Sequence, residues 1–171
     1  RPLALNWAAA HLPALVDAWY PGQEGGAAIA DVLFGDYNPA GRMPISVAKS
    51  VGQLPIHYNY TKPVHHNYID ADAKPLYAFG YGLSYTQFAY SDLKVDLQEK
   101  DNDFLAEVTF TVKNTGDVDG DEVAQLYVVD KVSSVVMPVL QLKGFARQFL
   151  KKGESRQLRF SLRKDDLKLW A

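Results

Sequence analysis

Cysteine is absent from all 171 residues. That excludes a disulfide framework, thiolate chemistry and any zinc site built on cysteine. The absence suits a reducing compartment and does not exclude the periplasm or secretion. Long hydrophobic runs are also lacking: none reaches the roughly 18 residues that a membrane-spanning helix needs. Neither sign of charge dominates. Lys and Arg total 18, Asp and Glu total 20, and the net charge is −2. So the chain carries no electrostatic footprint for nucleic acid or for an anionic membrane. No signal-peptide pattern is read in the given residues, which open on Arg1 in a strand-like run, RPLAL, rather than on Met. We read that as the start of a piece cut from a longer polypeptide.

What remains is ordinary globular material, 47% hydrophobic and 22% charged. Its length suits one domain or two small ones. The texture changes near residue 60. Before it, helical signals prevail. Arg1 to Leu5 reads as a short buried strand. Asn6 is placed to cap a helix over Trp7 to Tyr20, with Leu12, Leu15, Val16 and Trp19 at helical spacing. Pro13 interrupts that pattern, because it removes a backbone donor, and it allows Trp7 to His11 to form a separate turn. Glu24 to Phe34 is a second helix, striped by Ile29, Ala30, Leu33 and Phe34 and ended by Gly35. Met43 to Val47 reads as a strand.

Ser50 to Lys74 is a connector rich in proline and aromatic residues, and so many rings predict packing on a surface. From Phe88 onward the pattern alternates. Strands are expected over 88–97, 104–114, 122–129, 142–150 and 155–162. Phe104, Ala106, Val108, Phe110 and Val112 share one face at period two. Regular turns between short strands predict a β-sandwich, which needs about seven strands when complete. The chain offers five, so the sandwich is expected to lack its last strands. A cut at both ends would leave open sheet edges, with Leu3, Leu5, Leu167 and Trp170 wet or paired with another chain.

Several clusters invite chemical readings. Gly22, Gly25 and Gly26 match neither phosphate-binding fingerprint, so close backbone packing is the better use. Asp117, Asp119 and Asp121 alternate like the start of a calcium loop. Glu122 and Val128 stand where that loop wants Gly and Glu, so a polar turn fits better and no metal site is assigned. His65 and His66 are adjacent and point apart in extended chain. Asn59-Tyr60-Thr61 spells an N-glycosylation sequon, meaningful only in a eukaryotic secretory pathway.

Three stretches taken together carry a family likeness: WYPGQEGGAAIADVLFGDYNPAGRMP (residues 19–44), LYAFGYGLSYT (76–86) and NTGDVDGDEVAQLYV (114–128), continued by LKGFARQFLKKGES (142–155). In this order they resemble the C-terminal portion of glycoside hydrolase family 3 enzymes of the β-glucosidase and β-xylosidase type. The resemblance implies an α+β architecture. Residues 1–58 would be the C-terminal part of an α/β sandwich domain. Residues 59–83 would be an aromatic-rich connector. Residues 84–171 would be an immunoglobulin-like or fibronectin type III-like β-sandwich, incomplete at its end.

The same resemblance implies a glycosidase that releases terminal β-linked glucose or xylose with retention, with no cofactor, from β-linked oligosaccharides, in the periplasm or outside the cell. The nucleophilic Asp and the acid/base Glu of such an enzyme are expected upstream of Arg1, so this chain alone is predicted to be inactive and to support the active site. Its partners would then be the missing N-terminal domains or a second copy, with neither nucleic acid nor membrane. The rival reading is a carbohydrate-binding or interaction module without catalysis.

A retaining pair stands about 5–5.5 Å apart. Glu24 and Asp31 are the best local candidates, but seven helical residues separate them by roughly 10 Å at 1.5 Å per residue. Glu24 suits the helix start instead, where free N–H groups favour a carboxylate. Tyr58, Asn59, Tyr60, His65, His66 and Tyr68 are the candidates for a substrate rim. Rings stack on the C–H face of a pyranose and polar edges bond its hydroxyls. Their competing use is to hold the two domains together.

Overall fold

The computed structural model describes residues 4–61, 72–100 and 103–168. His65, His66, Tyr68, Leu3 and Trp170 lie outside these residues. The elements follow in the order α1 (Asn6–His11), α2 (Gly25–Phe34), a 3-10 turn (Val51–Gln53), β1 (Phe88–Lys100), β2 (Asp103–Asn114), β3 (Gly120–Val128), β4 (Gln141–Leu150), β5 (Ser155–Arg163) and a closing 3-10 turn (Lys164–Leu167). All five expected strands are present, each within a few residues of its predicted bounds.

The strands form two antiparallel sheets, one ordered β1-β2-β5 and one β3-β4. Period-two alternation decides which side chains meet between them. Ala106, Val108, Phe110 and Val112 of β2 pack with Ala124 of β3, Leu150 of β4 and Leu162 of β5. Asn114 lies fully buried at the end of β2. Its side-chain oxygen accepts from the Thr86 hydroxyl (2.7 Å) and the Gly116 N–H (3.1 Å). Its amide nitrogen donates to the carbonyls of Val118 (2.8 Å) and Leu150 (3.1 Å). One side chain thus ties together the entry to β1, the β2–β3 turn and the end of β4.

The N-terminal half departs from its periodic pattern in four places. The first helix ends at His11, and Leu12 is already extended (φ −97°, ψ 138°). Pro13 is the cause: its ring disfavours helical geometry in the residue before it. Residues 12–20 are irregular, so Leu15, Val16 and Trp19 form no helical stripe and stay exposed. Asn6 is the first helical residue rather than the cap, and its amide donates to the Lys49 carbonyl at 2.7 Å. Met43 to Val47 is not a strand; only Val47 forms a β-bridge, with Tyr77. Ala4 and Leu5 are likewise in no strand, and Leu5, like Leu167, is exposed at 38%.

Helix α2 forms as expected. Gly35 ends it in the left-handed region at φ 88°, which glycine enters without a Cβ clash. Glu24 precedes it, but its side chain makes no capping hydrogen bond.

Candidate functional site

The two halves meet across an open cleft of about 1140 Å³. One wall is the connector, from Gln53 to Tyr60 and from Ala73 to Gly82; the other is β3 with Tyr90 of β1. Odd-numbered residues of β3 point away from the sandwich core, and this places Gln125 and Tyr127 against the connector. The Gln125 amide donates to the Gly80 carbonyl at 3.0 Å, and the Tyr127 hydroxyl donates to Gln125 Oε1 at 2.5 Å. Gly80 has φ +79°, and a Cβ there would run into both side chains, so only glycine fits. Burial raises the Tyr127 hydroxyl above its ordinary range, and neighbouring Tyr58 adds to that.

Glu122 falls at an inward position of β3 and is buried. A buried carboxylate requires compensation. Arg42 supplies it through Nη2 at 2.6 Å from Oε2, and the Tyr90 hydroxyl donates to Oε1 at 2.6 Å. Arg42 also donates to the carbonyls of Ala40 (3.2 Å) and Gly41 (3.3 Å). Tyr90 stacks on Phe110, with centroids 5.8 Å apart. Burial, then the hydrogen bond to the Glu122 carboxylate, pushes its hydroxyl far above the ordinary tyrosine range. The cluster is a buried carboxylate each of whose oxygens accepts one short hydrogen bond, which pins Glu122 between the two halves.

Two further clamps flank it. Asn38 donates to the Asp119 carbonyl (2.9 Å) and accepts from the Ser84 hydroxyl (2.9 Å) and the Tyr85 N–H (2.8 Å). Arg147 bridges the Tyr37 hydroxyl (2.6 Å) and Asp121 (2.7 Å), and both contacts hold its charge above the ordinary range. The GDYNPAGR turn is therefore gripped from the β-domain side at Tyr37, Asn38 and Arg42.

The sequence candidates distribute as follows. Tyr58 stacks on Phe79 at 4.1 Å and meets the Tyr127 edge at 6.3 Å, and its hydroxyl accepts from the Leu142 N–H at 3.3 Å. Tyr60 lines the cleft and is half exposed, and its carbonyl accepts from the Val139 N–H at 2.9 Å. Asn59 is exposed beside it. Glu24 and Asp31 lie exposed on and before α2, away from the cleft. Asp117 and Asp119 bind the Lys152 ammonium and N–H, each at 2.7 Å. Gly25 is buried against Pro21, whereas Gly22 and Gly26 have no such neighbour.

Sequence reasoning passed over Arg42, Glu122, Tyr90 and Asn38. The available signal was Glu122 itself, a charge on the inward register shared with Ala124, Leu126 and Val128.

The glycosyl hydrolase family 3 C-terminal domain matches residues 1–85, and a fibronectin type III-like domain matches residues 122–171. The chain belongs to glycoside hydrolase family 3. It is 42% identical to a periplasmic β-glucosidase of Salmonella typhimurium, over 99% of this chain and 24% of that protein. It is 40% identical to a putative β-xylosidase of Formosa agariphila, over 98% of this chain and 22% of that protein. Among solved structures, a β-glucosidase from Erythrobacter marinus superposes with a TM-score of 0.91 at 40% identity, over 97% of this chain and 22% of that one. A β-glucosidase from Listeria innocua in complex with glucose gives 0.84 at 34% identity, over 95% and 24%. This family 3 chain thus spans about a quarter of the length of the relatives it matches. Its architecture is the family's C-terminal domain joined to a fibronectin type III-like sandwich.

Proposed function

We propose that this chain is the supporting part of a retaining β-glucosidase or β-xylosidase that removes terminal sugars from β-linked oligosaccharides. The observation that carries the proposal is the match of nearly the whole chain, through both domains, to proteins named β-glucosidase and β-xylosidase. The chemistry of the cleft supports it. Among the described cleft-lining residues Glu122 is the one carboxylate, and it is buried and held by Arg42 and Tyr90 as an interdomain tie. The nucleophile and the acid/base then come from the rest of the enzyme, and this piece holds the domain interface rigid through Arg42, Asn38 and Arg147. The boundaries at residues 58 and 83 belong to the same proposal, as does a rim role for the connector. Tyr60, half exposed in the cleft, is its leading candidate for a sugar contact.

The test is hydrolysis of chromogenic β-glucoside and β-xyloside by the full-length protein and by the 171-residue chain. Turnover by the full-length protein alone is expected. Turnover by the 171-residue chain, or none by the full-length protein on either substrate, overturns the reading.

A further inference from the structure

Strand β4 presents a face and an edge to solvent together. It pairs with β3 along one edge, and among the described residues its other edge has no ladder partner. The ladder sets Phe145 opposite Gln125, Arg147 opposite Val123 and Phe149 opposite Asp121. These three β4 residues therefore lie on the sheet face turned away from the sandwich core. Over β3 the connector covers that face, at Gln125 and Tyr127. On β4, Arg147 meets Tyr37, while Phe145 and Phe149 on either side of it are 70% and 49% exposed.

An edge strand is normally kept from pairing by a proline, a bulge or a charge. β4 has no proline in its ten residues. Its one irregularity in the ladder falls at Lys143, near one end, and Gly144 to Leu150 pair with β3 without a break. The charge at the middle of that run, Arg147, is already bonded to Asp121 at 2.7 Å. The outer edge is thus a regular run with a neutralised cation between two bare rings.

We propose that this edge is the contact surface for a second copy of the chain. The two β4 strands pair antiparallel about a twofold axis at Ala146 and join the two small sheets into one of four strands. Register decides the occupant. With Ala146 on the axis, Phe145 of each copy stands opposite Arg147 of the partner subunit, and Phe149 stands opposite the partner's Lys143. Each ring then meets a cation, and no like charges face each other. Such cross-strand neighbours lie about 5 Å apart, and a cation beside an aromatic ring is attracted to it. Moving the axis to Phe145 sets Arg147 against the partner's Lys143, and moving it to Arg147 sets the two arginines against each other. A twofold contact needs a self-complementary patch, and residues 143–149, KGFARQF, form one. The proposal is independent of the catalytic reading.

The mass of the full-length protein in sedimentation equilibrium, over a wide range of concentration, tests it. A dimer is expected. Phe145→Lys sets like charges opposite each other twice and is expected to weaken the dimer by about tenfold or more. Phe145→Glu sets a carboxylate opposite Arg147 of the partner subunit and is expected to keep it. If either variant fails to fold, amide exchange of the unaltered protein decides: protection of the β4 amides not bonded to β3 is expected to grow with concentration. A monomer throughout, or a dimer that Phe145→Lys leaves intact, overturns the proposal. Loss of the dimer in both folded variants, the mark of a patch held by ring burial alone, overturns it too. Edge protection that is independent of concentration assigns the edge to another part of the same polypeptide, and that also overturns it.

Discussion

Arg42 and Glu122, 80 residues apart in sequence, meet at 2.6 Å with side chains only 14% and 10% exposed. One comes from the turn after α2 and the other from the inward face of β3, so the pair fastens the N-terminal half to the sandwich. Removing one partner of such a pair leaves the other charge buried without compensation. Glu122→Ala is expected to cost about 3 kcal/mol, read from urea unfolding of the full-length protein. A double-mutant cycle with Arg42→Met is expected to show that the second change costs much less once the first is made. Additive losses would mean that the two residues do not act as a pair.

Tyr90 links this cluster to pH. Its hydroxyl is held above the ordinary tyrosine range by burial, then by the Glu122 carboxylate. In the unfolded chain it releases its proton near pH 10, while the folded protein still holds it. The stabilisation is therefore complete below pH 10 and declines as pH rises above it. Tyr90→Phe is expected to flatten that alkaline limb in a series of denaturant midpoints from pH 8 to pH 11. An identical limb in the variant would show that other groups cause the loss.

Asn114 is fully buried and makes four hydrogen bonds to three segments. Asn114→Ala strands the Thr86 hydroxyl, the Gly116 N–H and two carbonyls. The expected loss is about 2–3 kcal/mol, measured by chemical denaturation. A loss below about 0.5 kcal/mol, the size of an ordinary surface change, would show that water replaces the amide.

Two glycines give opposite expectations. Gly80→Ala places a Cβ in a left-handed residue and against Gln125 and Tyr127. The backbone alone costs about 1–2 kcal/mol, and the collision adds to it. Gly26, within α2, has no neighbour within 4 Å of a built Cβ. Gly26→Ala is expected to raise stability by about 0.5 kcal/mol through helix propensity. Thermal unfolding of both variants side by side checks the contrast, and equal shifts would refute it.

Tyr60 carries the connector's part of the functional proposal. Tyr60→Ala in the full-length enzyme is expected to raise KM several-fold for an oligosaccharide while leaving it nearly unchanged for a small aryl glycoside, since an outer subsite touches only the longer substrate. Equal effects on both substrates would point to a purely structural residue.

The β-half was legible because each strand writes its own signal. Alternation marks the faces of β2 and β3, and Lys151 to Gly153 marks the turn between β4 and β5. The first 60 residues were less legible. Leu12, Leu15, Val16 and Trp19 have helical spacing, yet Pro13 stops the helix before them, and MPISV has strand composition but pairs only through Val47. Periodicity reports which residues are apolar; it does not report whether a neighbour is there to order them.

The site divides in the same way. Sequence singled out the aromatic connector and Tyr58, because rings in a linker demand a surface. The Arg42–Glu122–Tyr90 cluster joins three residues from three segments, and no local pattern announces a contact across 80 positions. By itself the sequence determined the family, the five strands, the α2 helix with its glycine stop, and the lack of a catalytic carboxylate pair on that helix, since spacing along one element follows from backbone geometry. Only the tertiary structure decided which polar groups meet across the domain junction and that Phe145 and Phe149 of β4 stay exposed, because contact and burial depend on how separate elements pack.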